Sequence, residues 1–301
     1  MSHKPVLLNE VLELLDPHPG DFMIDGTLDG GSHAAAIMEK ILPGGKLLGI
    51  DWDKEMIAKS SLREESGTHK NVTLVHGNYA DLPEILAREQ LPRADGLLLD
   101  LGFSSEQLEG SGMGFSFAPG SGKAAKDEPL RMTYSDQQIP VSQILREIDE
   151  MELANILYEF GGERFSRRIA KAIKERERRK PIVTAGELAD TVRAALSKSY
   201  ERGRIDPATR TFQALRIYAN DELKNLKTIL DNLPKVLKPG GRAAIISFHS
   251  LEDRIVKQSF QKMAKEGSVI LLTKKPTTAT REEIKENPRS RSAKLRALKI
   301  I

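Results

Sequence analysis

The 301-residue chain predicts an α/β fold: a largely parallel sheet covered by helices on both faces, interrupted by an all-helical inserted domain. Three observations carry this expectation. Short apolar runs alternate with helix-length segments through the first third, the alternation stops in mid-chain, and it resumes towards the C-terminus.

Taken in order, residues 22–25 (FMID) form a strand that ends on an acid. The glycine-bearing turn 26–32 and a helix over 33–40 follow, closed by Pro43, Gly44 and Gly45. Residues 46–50 give a second strand ending at Asp51, and 53–63 a second helix. A third strand (72–75), a third helix (82–89) and a fourth strand (96–100) complete the first run. Strands this apolar are covered on both faces. Residues 102–126, rich in Gly, Ser and Ala, read as a mobile loop. From 140 to 200 the pattern is helical. Leu145, Ile148, Leu153, Ile156 and Leu157 mark one helix face, and Phe165, Ile169 and Ile173 a second. The second helix ends before Pro181, and a third covers 184–196. Asp206 and Pro207 start a helix expected to run through Tyr218 and Leu226. Residues 237–241 (LKPGG) stop the helix after it. A fifth strand (242–247), a helix (251–264) and two strands (268–272 and 294–300) close the chain. The expected division is therefore 1–108 and 206–301 for the sheet domain, with 109–205 as loop and helical insert.

Composition excludes several classes. Hydrophobic residues make up 39% and charged residues 30%, as in ordinary globular proteins. The apolar runs are too short to span a bilayer, and the opening residues 1–5 lack the apolar core of a secretion signal. With no cysteine there is neither a disulfide framework nor a thiolate metal site, and no metal is expected. The expected compartment is the cytoplasm. The net charge of +3 is unevenly spread: residues 161–216 hold 15 Lys/Arg against 7 Asp/Glu, and 281–301 hold 7 against 3. Two cationic concentrations suit a polyanion, although a solvated helix face gives the same count.

The strongest local signal is residues 25–33 (DGTLDGGSH), between a strand and a helix. Glycines there admit a ligand to the backbone, and the helix start offers N–H groups without acceptors. Asp51, twenty residues past Gly31, suits the hydroxyls of a ribose. The dinucleotide pattern G-x-G-x-x-G is absent, so the turn fits an adenosine ligand without a pyrophosphate better than NAD. Asp100, at the end of the fourth strand, would face that ligand.

With these residues in view, the chain resembles the small-subunit ribosomal RNA (cytosine-N4)-methyltransferase family, RsmH or MraW. The resemblance is carried by 3–8 (HKPVLL), 97–108 (LLLDLGFSSEQL), 114–117 (GFSF) and 161–173 (GGERFSRRIAKAI). It continues through 206–223 (DPATRTFQALRIYANDEL), 247–257 (SFHSLEDRIVK) and 287–295 (NPRSRSAKL). It implies a Rossmann-like class I methyltransferase sheet and S-adenosyl-L-methionine as cofactor. Carried over by position, the cofactor contacts are Gly31, Ser32, His33, Asp51, Tyr79, Asp100 and Gln107. The implied substrate is small-subunit ribosomal RNA, bare or in the assembled subunit, and the resemblance leaves room for a homodimer. Two departures stand out: Asp29 and Ser32 replace glycines of the family's turn, and 129–134 read PLRMTY where the family reads PLDMRM.

Chemically, the resemblance points to Asp100 as acceptor for the cytosine amine, aided by the carbonyl of Leu101, with Phe103 to support the base. His249 is a second candidate for moving the amine proton. Arg164, Arg167, Arg168, Lys171 and Lys174 form the expected phosphate clamp, assisted by Arg289, Arg291 and Arg296. The alternatives are methylation of another nucleic acid, a cofactor-binding assembly factor, and, most distantly, a dehydrogenase.

Overall fold

The computed structural model describes residues 5–60, 62, 71–102, 112–116, 128–135, 138–196 and 206–301. It divides into two compact units, Met1–Phe103 with Leu223–Ile301, and Ser104–Glu222.

The first unit is built on a seven-stranded sheet. Its strands are β1 (Phe22–Asp25), β2 (Lys46–Asp51), β3 (Val72–His76), β4 (Ala94–Asp100), β5 (Leu237–Ser247), β6 (Val269–Leu271) and β7 (Lys294–Ile300). The order across the sheet is β3-β2-β1-β4-β5-β7-β6. The strands from β3 to β5 pair in parallel, and β7 pairs antiparallel with both β5 and β6. The helices are α1 (Leu8–Leu15), α2 (Ser32–Ile41), α3 (Lys54–Lys59) and α4 (Leu82–Arg88) before β4.

Side chains along a strand alternate between faces, and the continuous apolar runs feed two cores at once. Ile24, Leu48, Ile50, Leu97, Leu99 and Ile245 enter one buried cluster, together with Leu82 and Ile85 of α4. Their neighbours Met23, Leu47, Leu98, Ala244 and Ile246 enter the other, with Val11 and Leu15 of α1 and Ile37 and Ile41 of α2. Strand order reverses at β1: the chain moves outward to β2 and β3, then returns to β4 on the other side. The carboxyl ends of β1 and β4 are thereby opened into a crevice, the usual place for a ligand in such sheets.

The second unit contains α5 (Val141–Glu147), α6 (Glu150–Glu159), α7 (Ser166–Arg179), α8 (Ala185–Ala195) and α9 (Thr209–Ala219). Three more helices follow, in the first unit from Leu223 on: α10 (Glu222–Val236), α11 (Ser250–Lys265) and α12 (Arg281–Glu286).

Several expectations change. The helix expected across Ile148 is broken into α5 and α6: Ile148 is extended, and Asp149 caps α6 by accepting the Glu152 N–H at 2.8 Å. The helix expected from 206 through Leu226 is two helices. Buried Asn220 donates to the Met132 carbonyl at 2.8 Å and accepts the Tyr134 N–H at 3.1 Å, and Asp221 turns left-handed at φ 51°. Those bonds tie residues 206–222 to the helical unit. β5 begins at Leu237 and not at 242. Helices α1 and α12 are not anticipated from the sequence pattern. Most of the glycine-rich loop lies outside the described residues.

Candidate functional site

The crevice is built from the turn after β1. Gly30 and Gly31 have φ of 80° and 87°, so the chain enters α2 through left-handed backbone that glycine adopts without strain. Gly26 matters for space: a Cβ there would lie 2.5 Å from Cδ2 of Leu99 and 3.3 Å from Cβ of Tyr79. The turn is pinned to its neighbours by Gly26 N–H to the Leu98 carbonyl at 3.0 Å and Leu28 N–H to the Ile50 carbonyl at 2.9 Å. Of the two family departures at this turn, Ser32 is helical at φ −65° and unstrained, whereas Asp29 has φ 41° and takes the strain.

Asp51 reaches across from β2. Its Oδ2 accepts the Asp29 N–H at 3.0 Å and its Oδ1 the Asp53 N–H at 2.8 Å. Burial raises its pKa to about 6, against the lowering effect of those two N–H groups. Asp25, at the end of β1, is 1% exposed. Its Oδ1 accepts the Thr27 N–H at 3.1 Å, while buried Oδ2 has no hydrogen-bond partner among the described residues. Burial pushes Asp25 well above the usual carboxylate range, and the nearby Asp100, Asp51 and Asp29 push it further.

Asp100 ends β4 with its N–H donated to Oγ1 of Thr27 at 2.6 Å, and its Oδ1 accepts the Gly102 N–H at 3.3 Å. His33, in the first turn of α2, is buried; its Nε2 lies 2.9 Å from the Val6 carbonyl and its Nδ1 3.7 Å from Oδ2 of Asp100. Burial lowers the His33 pKa, and the Val6 carbonyl opposes that. Tyr79 follows β3 and packs against the core beneath. The structure thus gathers Gly31, Ser32, His33, Asp51, Tyr79 and Asp100 at the open ends of β1 to β4. Gln107 and Phe103 lie outside the described residues. Sequence reasoning read Asp25 as an acid before the glycine turn but gave it no contact of its own, and it assigned no part to the Val6 carbonyl or the Thr27 hydroxyl, which carry no signal there.

This arrangement selects for a ligand with positive charge and sugar hydroxyls. Converging carboxylates with an unsatisfied buried oxygen favour a cation, and the positive end of the α2 dipole favours a carboxylate. S-adenosyl-L-methionine has a sulfonium, an ammonium, a carboxylate and a ribose diol, and the residues fit each of them.

The model of the MraW methylase family matches residues 1–301. The chain belongs to the MraW methylase family. Curated relatives agree along the whole length. Ribosomal RNA small subunit methyltransferase H of Coprothermobacter proteolyticus is 45% identical over 301 residues, covering 99% of this chain and 96% of that protein. Its namesakes in Syntrophotalea carbinolica and Syntrophobacter fumaroxidans are 42% and 41% identical, covering 99% of this chain and 98% and 96% of theirs. For an MraW methylase, a doubly covered sheet with its crevice at the β1–β4 switch is the fold that positions a methyl donor.

Other expected residues have different work here. His249 is the N-cap of α11: its Nδ1 accepts the Glu252 N–H at 3.4 Å, and Glu252 accepts the His249 N–H at 3.2 Å. Arg296, expected to assist the phosphate clamp, is 7% exposed and bonds Oδ1 of Asp253 at 2.7 Å. Lys174 donates to the Leu145 carbonyl at 2.7 Å and the Arg146 carbonyl at 3.2 Å, closing the end of α5. No helix among the described residues is long and apolar enough to cross a membrane.

Proposed function

We propose that this protein transfers a methyl group from S-adenosyl-L-methionine to the N4 amine of a cytosine in the decoding region of small-subunit ribosomal RNA, acting in the cytoplasm. The single observation that carries the reading is the cluster of Asp25, Asp29, Asp51 and Asp100 at the switch point of a whole-length MraW methylase.

The sulfonium methyl supplies the electrophile when the cofactor is bound. In this chain, Asp51 would hold the ribose hydroxyls, Tyr79 would border the adenine, and the N-terminus of α2 at Gly31, Ser32 and His33 would face the methionine carboxylate. Asp25 answers the positive charge from beneath.

The cytosine amine is a weak nucleophile because its lone pair is delocalised into the ring. Asp100 accepts one of its N–H groups, turning the remaining lone pair towards the methyl, and takes the proton that the nitrogen sheds as the new N–C bond forms. Thr27 and Gly102 hold the Asp100 backbone and carboxylate in place for this. Exposed Arg164, Arg167, Arg168 and Lys171 on the helical unit grip the phosphates. Nucleoside mass spectrometry of small-subunit RNA from cells lacking the protein tests the reading. N4-methylated cytidine should fall and return on complementation; an unchanged nucleoside profile contradicts the proposal.

A further inference from the structure

One end of the helical unit combines exposed aromatic rings with arginines that form no ion pair among the described residues. The turn between α6 and α7 is closed by Gly162 N–H to the Tyr158 carbonyl at 3.0 Å and Glu163 N–H to the Leu157 carbonyl at 3.1 Å. It brings the last turn of α6 and the first of α7 to the same end of the hairpin. Tyr158 there is 63% exposed and Phe165, directly before α7, is 42% exposed.

Arg164, Arg167 and Arg168 are exposed around this turn and form no ion pair among the described residues. Several basic residues further along are paired. Arg176 and Lys180 both reach Glu187 at 3.4 Å, Arg193 pairs with Asp206 at 2.7 Å, and Arg216 pairs with Glu222 at 2.8 Å. No acid stands in the first turn of α7. Glu163 is fully buried, with Oε1 accepting the Phe165 N–H at 2.7 Å, which leaves Glu159 as the exposed acid of the turn. Positive charge and apolar ring faces therefore coincide at one place.

A duplex hides its base faces and offers only phosphates and groove edges, whereas unpaired nucleotides offer both faces and phosphates. We infer that this end of the α6–α7 hairpin is a stacking platform for unpaired RNA: Phe165 and Tyr158 take base faces, and Arg164, Arg167 and Arg168 take the phosphates between them. The inference rests on the proposed RNA substrate and adds the form in which that RNA is held.

Fluorescence anisotropy on the full chain, with a single-stranded oligoribonucleotide and a duplex of the same sequence, tests it. Phe165→Ala should weaken single-strand binding by roughly 5- to 100-fold and duplex binding by less, while Phe165→Trp retains binding. Arg168→Ala should lower the slope of log affinity against log salt by about one for both RNAs. Unchanged single-strand affinity in Phe165→Ala, or an equal loss on duplex, overturns the platform, as does a wild-type protein that binds neither RNA. Calorimetric titration with S-adenosyl-L-methionine should be the same for every variant. It reports separately on the cofactor crevice and shows that the variants are folded.

Discussion

His33 and Asp100 face each other at the crevice, with Nδ1 of His33 3.7 Å from Oδ2 of Asp100 and the opposite ring nitrogen 2.9 Å from the Val6 carbonyl. A carbonyl only accepts, so Nε2 carries the proton, and Nδ1 of the neutral ring, also an acceptor, makes no hydrogen bond to the carboxylate. The ring is thus a neutral strut that anchors the N-terminal segment through Val6 and stands beside, without bonding, the acid that we assign to catalysis.

The first prediction concerns that strut. Burial holds the His33 pKa below its ordinary 6.5, so the ring is neutral at pH 7 as the Nε2–H tautomer, which nitrogen-15 NMR reads directly. The folded state then resists protonation more than the unfolded chain. Stability from this residue is complete above about pH 6.5 and declines as pH falls through the lower folded value. His33→Ala should cost about 1–3 kcal/mol in chemical denaturation, because the buried Val6 carbonyl loses its donor. His33→Gln keeps a donor and should cost less, with the acid-side decline abolished.

Asp51 makes cofactor affinity depend on pH in a defined direction. Ribose hydroxyls donate to a carboxylate, and Asp51 in the free protein is half protonated at about pH 6. Affinity should be constant at higher pH and weaken up to about tenfold per unit as pH drops below 6. Asp51→Asn should bind roughly 10- to 100-fold more weakly at neutral pH, with that pH dependence removed. Isothermal titration across the range decides it, since a titrating curve that survives in Asp51→Asn would assign the effect elsewhere, Asp25 first.

Asp29 tests the strain at the turn. Its φ of 41° is tolerable for Asp, which takes left-handed backbone more readily than most residues, and free for glycine. Asp29→Ala should lower stability by about 1 kcal/mol, and Asp29→Gly by less than about half of that, in thermal or urea denaturation. Equal losses would mean that the Asp29 side chain, and not its backbone, holds the turn.

Much of the sheet domain is legible in the sequence because each strand is a short apolar run bounded by turn residues, and because an acid ends each of β1, β2 and β4. Asp25, Asp51 and Asp100 are readable for that reason. The helix breaks at Ile148–Asp149 and Asn220–Asp221 are less so. The first is caused by a local capping carboxylate, which apolar periodicity does not register, and the second by a buried amide bonded to residues 86 to 88 positions away, beyond the reach of any local pattern. The burial of Arg296 is hidden likewise: its partner Asp253 lies 43 residues earlier, and a run of basic residues reads as solvent-facing until the pairing is seen. Val6 has no chemical signal at all, since only its backbone carbonyl is used.

Asp100→Asn provides the last prediction and the decisive comparison. The amide keeps the shape and the backbone bonds but takes up no proton at neutral pH, so the catalytic constant should fall by about 100-fold or more while cofactor affinity changes much less. The direct measurement is transfer of labelled methyl from S-adenosyl-L-methionine to small ribosomal subunits lacking the modification, with the product nucleoside identified by mass. Wild-type protein should yield N4-methylcytidine and Asp100→Asn almost none. Label on another atom, or equal turnover by the two proteins, would contradict the account.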